Sequence, residues 1–311
     1  MVVVTRDNAD LLRDALASIL ADSSGVEREL IVVDNGSSDG TTEVAAAAAA
    51  GAPFPVTLLH EPEPGLSRGR NRGVAAARGE IVLFTDDDVL VEDGWADALA
   101  AAFADPAVGV AGGRTLPIWP HPPAAWLDGP HRVSLALFDH GEESRLLADD
   151  EALAGANLAL RASLLGPDPF RLDIGNTGDR RFGYEETALV DALRREHAAV
   201  YVGSAVVHHR IRAERMTLRW LRATYFDQGI AVLRLRERAG EAESPGLARR
   251  LVRALRVARK TLRLRRRHDR EGRGPSELWT ELQEYKALGR HVDLLLRRFP
   301  SLSRWVRDAV V

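Results

Sequence analysis

Cysteine is absent from the 311 residues, which excludes disulfides, thiolate metal sites and cysteine nucleophiles. No run approaches the roughly 20 apolar residues that a bilayer-spanning helix needs. The opening Met1-Val2-Val3-Val4-Thr5 is too short for the apolar core of a secretory signal before charge follows. The expected location is cytoplasmic, with the inner face of the membrane as a variant of that address. No Gly-x-Gly-x-x-Gly follows either early strand, which argues against a dinucleotide-dependent dehydrogenase, and no internal repeat is found. With 45% hydrophobic and 28% charged residues, the chain has the composition of a globular protein rather than a disordered one. Its net charge of -3 hides an asymmetry. Residues 246–274 hold 12 Arg/Lys against 2 Asp/Glu, a local charge of +10, so the remainder carries -13. A basic segment on an acidic body suggests a surface for phosphates, a membrane face or an acidic partner.

Strand and helix signals alternate along the first half. Val2-Val3-Val4, Leu30 to Val33, Val56 to Leu59 and Ile81 to Phe84 read as buried strands. Ala9 to Leu20, Thr42 to Ala50 and Ser67 to Ala77 read as the helices between them, and Trp95 to Phe103 as one that follows. That alternation predicts an α/β fold with a mostly parallel central sheet and right-handed crossovers. Val108 to Gly113 suggests a further strand and turn, and Leu116 to Pro130, with five prolines, an irregular loop. Gly155 to Arg161 reads as a strand entering a helix, Tyr184 to Glu196 as a helix, and Ala199 to Val202 and Ala205 to His209 as two short strands. From Thr217 the pattern is helical, with breaks at Gly240 to Gly246 and at Gly272 to Pro275.

The strand at Ile81 ends in Asp86-Asp87-Asp88. Unpaired charge is too costly for a core, so these carboxylates belong at the strand's C-terminal mouth, where open α/β sheets bind ligands. Asp86 and Asp88 point to the same side and suit a hard divalent cation that also holds phosphate. Asp34 ends the second strand in a dense turn, Asp34-Asn35-Gly36-Ser37-Ser38-Asp39-Gly40. Its carboxylate can accept from a nucleotide base or close an Asx-turn, and the two roles are compatible. Asp39 suits the start of the next helix.

The order Val-Val-Val-Thr, Val-Val-Asp-Asn-Gly-Ser-Ser-Asp-Gly-Thr, Gly-Leu-Ser-Arg-Gly-Arg-Asn-Arg-Gly and Phe-Thr-Asp-Asp-Asp resembles family 2 glycosyltransferases with the GT-A fold. The resemblance covers roughly residues 1–235, read as the catalytic domain, and leaves 236–311 as a basic helical extension. It implies an inverting, metal-dependent transfer of a sugar from a UDP-, GDP- or dTDP-linked donor to a saccharide, lipid-linked or small-molecule acceptor. Thr5 and Arg6 would line the nucleotide pocket, with Asp34 on the base. Of Arg68, Arg70 and Arg72, which one short helix cannot turn to a single site, Arg70 is the candidate for the donor phosphates. Gly69 and Gly73 are read as close-packing positions. Asp86 would lie near the ribose and take part in the metal site, Asp88 would bind Mn²⁺ or Mg²⁺, and Asp87 would support the turn beside the donor. Glu185-Glu186 stands where the family has a Glu-Asp pair. Glu186 is the first choice for the catalytic base and Glu185 the second, although the added methylene departs from the pattern. His209 is preferred over His208 as a third metal ligand. Trp119 and Asn157 are placed on the acceptor side.

Two other readings compete: a nucleotidyltransferase, whose usual glycine-rich N-terminal loop with a basic residue is missing after Val4, and a non-catalytic sugar-nucleotide binding protein. In the basic extension, Leu247, Leu251, Leu255, Ala258 and Leu262 recur at helical spacing among arginines. This stripe either packs on the catalytic domain or contacts a membrane surface peripherally. A nucleic-acid role is not expected, because no recognised module or aromatic interleaving accompanies the charge.

Overall fold

A computed structural model describes residues 1–178, 180–241, 247–271 and 274–298. The chain divides into two compact units. The first comprises residues 1–118, 136–178 and 185–210, and the second 119–135, 179–184 and 211–311.

The first unit is built on strands β1 (Val2–Thr5), β2 (Leu30–Asp34), β3 (Val56–His60), β4 (Ile81–Asp86), β5 (Val89–Val91), β6 (Val108–Ile118), β7 (Arg145–Leu146), β8 (Leu158–Arg161) and β9 (Ala198–Arg210). They form one sheet in the order β3-β2-β1-β4-β8-β6-β9-β5, with β7 also on β9. Strand periodicity explains the two-sided core. Val3, Leu30 and Val32 pack on one face with Leu12, Leu16, Ile19 and Trp95. Val2, Val4, Ile31, Val33, Val82 and Phe84 pack on the other with Phe170. Every position of β1 and β2 is therefore buried, as expected where helices cover both faces. Helix α1 (Ala9–Ala21) buries Leu12, Ala15, Leu16 and Ile19, one face at three- to four-residue spacing. Helices α2 (Thr41–Ala50), α3 (Leu66–Ala76), α4 (Trp95–Ala101) and α5 (Glu185–Leu193) complete the unit. On α3, a Cβ at Gly69 would overlap Val4 and one at Gly73 would overlap Val2, so both glycines serve close packing as the spacing suggested.

The sheet is mostly parallel, as expected: β6 and β9 run parallel, and only β5, β7 and β8 are reversed. β3, β2, β1 and β4 are parallel neighbours. β8 then runs antiparallel to both β4 and β6, and β5 and β7 run antiparallel to β9. β6 extends through Pro117 to Ile118 rather than ending at Gly113, because it pairs with β9 along its length. The two short strands expected at 199–202 and 205–209 are one strand. Gly113 pairs with Val202 and Arg114 with Val206, so the Gly203-Ser204 break is a bulge, and it lies where a Cβ on Gly113 would overlap Ala205.

The second unit contains α6 (Leu218–Arg238), α7 (Leu247–Glu271) and α8 (Pro275–Arg298). Gly229 and Gly289 let α6 and α8 approach closely: a Cβ on either would overlap the backbone carbonyl of Lys286 or Phe226. Buried Arg222 donates to Glu281 at 2.8 Å, and Arg234 to Asp293 at 3.2 Å, across the same pair of helices. The boundary expected at 235/236 falls inside α6, which groups with α8 rather than with the sheet.

Candidate active site

Strand register brings the acidic residues together. Thr5 pairs with Asp34 across β1 and β2, and Val4 with Asp86 across β1 and β4, so the strand ends share one edge of the first unit. The Thr5 hydroxyl donates to Asp87 Oδ2 at 2.7 Å and ties β1 to the acidic turn. Arg6 is exposed and lies 3.5 Å from Asp7. Asp34 is buried, with Oδ1 accepting from the Ser37 amide at 2.8 Å and Oδ2 from the Thr42 hydroxyl at 2.6 Å. Burial opposes its ionisation, but the Ser37 and Thr42 hydrogen bonds outweigh it and hold the carboxyl below its ordinary value. The Asx-turn role is thus occupied, and a carboxylate has lone pairs enough to accept from a further donor as well. Asp39 accepts from the amides of Ala9 and Thr41, the first residues of α1 and α2.

Of the three arginines on α3, only Arg70 is buried; Arg68 pairs with Glu63, and Arg72 is exposed. The Arg70 guanidinium donates to Glu185 Oε1 at 3.0 Å and to Asp86 Oδ1 at 3.2 Å, with Glu186 Oε2 at 3.7 Å. It also lies over the Phe170 ring. Its fork, expected to face phosphate, is therefore spread over three carboxylates. Glu185 is 1% exposed and Glu186 18% by side chain. Burial, then the neighbouring Glu186, push the Glu185 carboxyl up to about 8, against the pull of Arg70. Three carboxylates sharing one cation cannot all ionise cheaply. Asp87 is likewise pushed up to about 7 by burial and by Asp88, although hydrogen bonds from Thr5 and Asn8 oppose the rise.

Strand β5, too short to read from the sequence, places the histidines. Val89 pairs with His209, and the Arg210 amide donates to the Asp88 carbonyl at 2.9 Å. His209 Nε2 consequently lies 3.4 Å from Asp88 Oδ1, both side chains buried. Neighbouring strand residues face opposite sides, and His208 instead contacts Glu92 at 2.6 Å. Among the described residues no group of three or more His, Asp or Glu is placed to enclose a metal. The Asp88–His209 pair, one hard oxygen and one imidazole, fits a cation that takes further ligands from phosphate and water.

Both residues expected on the acceptor side have partners of their own. Asn157 is fully buried; it accepts from the Trp95 indole at 2.8 Å and donates to the carbonyls of Arg114 and Ala205. Both of its amide donors are spent inside the sheet, so Asn157 has a structural task there. Trp119 belongs to the second unit, where the Arg132 guanidinium lies over its ring.

One contributor to the site went unread. A Cβ on Gly155 would sit 2.8 Å from the Arg70 guanidinium, so the glycine makes room for the clamp. Gly155→Ala should cost about 1–3 kcal/mol in denaturant unfolding. In an Arg70→Ala background it should cost almost nothing further, and equal penalties in both backgrounds would separate Gly155 from Arg70.

A mostly parallel central sheet flanked by helices, with strand ends that meet in an acidic mouth, matches the fold of GT-A glycosyltransferases. Residues 1–149 match the model described as "Glycosyl transferase family 2". The pre-mycofactocin glycosyltransferase of Mycobacterium tuberculosis is 33% identical over 115 residues, 37% of this chain and 23% of its own length. The Bacillus subtilis glycosyltransferase YfnE is 33% identical over 90 residues, 29% of this chain and 23% of its own length. The first curated relatives are matched over only 13% to 32% of their lengths. In fold, the chain is similar to the mannosyltransferase PcManGT of Pyrobaculum calidifontis, solved with GDP-Man and Mn²⁺. The TM-score is 0.60 at 18% identity, covering 94% of this chain and 86% of that one.

Proposed function

We propose that the chain transfers a sugar from a nucleoside diphosphate donor to an acceptor hydroxyl, with inversion and with a divalent cation. The observation that carries this reading is electrostatic. Asp86, Glu185 and Glu186 share one guanidinium, Arg70, Asp88 pairs with one imidazole, His209, and Asp87 is crowded by Asp88 and Asp86. Such an excess of carboxylates calls for added positive charge.

In this reading Asp88 and His209 hold Mn²⁺ or Mg²⁺ with help from Asp86, and the cation, when bound, neutralises charge on the leaving diphosphate. Asp34 accepts from the base of a UDP, GDP or dTDP moiety. Arg70 fixes Asp86 and Glu185, and leaves Glu186, the more exposed acid, to meet the acceptor. Glu186 takes the hydroxyl proton as the acceptor oxygen attacks the anomeric carbon from the face opposite the nucleotide. The bond to the diphosphate breaks in the same displacement, so no sugar–enzyme intermediate forms. The acceptor is a saccharide, a lipid-linked sugar or a small molecule.

Thermal unfolding with nucleoside diphosphates and their sugars, with Mn²⁺ or with chelator, tests the reading. One nucleotide family should raise the midpoint only when metal is present, since a ligand bound to the folded state alone stabilises it. Asp88→Asn should abolish the metal-dependent part of that shift while the protein stays folded. A shift that persists in this variant would remove Asp88 from the metal site, and no shift with any nucleotide would favour another activity.

A further inference from the structure

The basic helix α7 presents a face that its own unit does not use. Among its 25 residues are 11 Arg/Lys, with acids only at Asp269 and Glu271. The side toward α8 is marked by buried Ala254 and Thr261 and by Lys260, which donates to Glu284 at 2.6 Å. Of the two alternatives for the leucine stripe, packing does not cover all of it. Val252, Leu255 and Leu262 are 57%, 59% and 43% exposed, Ala258 is half-buried, and the side chains of Leu247 and Leu251 lie outside the described residues. Arg249, Arg253, Arg256, Arg259, Arg263 and Arg266 are exposed too, and no ion pair is found for them among the described residues.

At about 100° per residue, Leu262, Leu255, Arg266, Arg259 and Val252 fall within one narrow arc, and Arg263, Arg256 and Arg249 continue it. From Val252 to Arg266 this line is about 21 Å long. Among the described residues, no acid of the second unit pairs with these arginines. We infer that this face of α7 docks in the plane of an anionic phospholipid surface. A bilayer offers both complements at once: a lattice of phosphates for the arginines, and an acyl boundary just below it for Val252, Leu255 and Leu262. A nucleic acid would supply phosphates but no apolar layer. The bases it presents instead are met by stacking aromatics, and α7 contains no Phe, Tyr or Trp. The inference stands independently of the sugar-transfer reading, since it uses no residue of the candidate active site.

The full chain is mixed at low salt with phosphatidylcholine vesicles and with vesicles containing phosphatidylglycerol, then sedimented. It should follow only the anionic vesicles and be released by salt. A triple Arg256→Glu, Arg259→Glu, Arg263→Glu variant should bind about a hundredfold more weakly or worse. A Leu255→Ser, Leu262→Ser variant, which alters exposed positions and should keep its helix content by circular dichroism, should bind about tenfold more weakly. A wild-type chain that ignores anionic vesicles overturns the proposal. So does a leucine variant that binds as tightly as wild type, because the face would then be a general polyanion surface and not a lipid one.

Discussion

Arg70→Ala should destabilise the first unit by about 3–5 kcal/mol, the usual penalty when one partner of a buried ion pair is removed. Glu185, 1% exposed, would lose the cation it pairs with among the described residues, and Asp86 would lose its anchor. Arg70→Lys should recover little of this, because a single ammonium cannot span Glu185 and Asp86 as the fork does. Denaturant unfolding of the three proteins checks it. A loss below about 1 kcal/mol, the scale of surface ion pairs, would show that the clamp contributes little to stability.

Glu186→Gln should lower turnover by about 10²–10⁴-fold, the contribution typical of a general base, with donor binding nearly intact. Glu186 opens α5 beside Glu185, but only Glu186 keeps appreciable exposure. A substrate hydroxyl has to reach the base within hydrogen-bond distance, and a carboxyl as enclosed as Glu185 offers no such access. Turnover measured with donor and acceptor, alongside the nucleotide-dependent thermal shift, separates chemistry from binding. Unchanged turnover would move the base to another residue. Loss in Glu185→Gln alone would transfer the role to its neighbour, and no turnover in wild type beside intact donor binding would favour the sugar-nucleotide binding reading.

Much of this architecture was legible in the residues. The apolar runs at Val2, Leu30 and Ile81 announce buried strands because both faces of those strands are covered. The run of acids at 86–88 could only end one of them. Three arginines on one short helix cannot all face one site, and the buried one is Arg70. What stayed hidden depends on distant partners. Strand β5 is three residues long and exists by pairing with β9, more than a hundred residues away. The antiparallel pairings at the centre of the sheet follow from β8 entering between β4 and β6, which no local pattern encodes. Asn157 looks like a surface residue at the start of a helix, yet it is consumed by Trp95, Arg114 and Ala205. Leu255 and Leu262 have core spacing, but spacing alone does not say whether a partner covers them.

The two glycines of α3 have a consequence for charge. Gly69 and Gly73 let the helix lie directly against Val4 and Val2, and Arg70 rides on the same turn. The height of the helix above the sheet therefore sets where the guanidinium meets Asp86 and Glu185. A methyl group added at Gly69 changes no charge, yet it would lift the cation away from the acids it holds. In this unit the tolerance of apolar packing is also the tolerance of the electrostatics, and the spacing of a helix from a strand acts as a ruler for an ion pair.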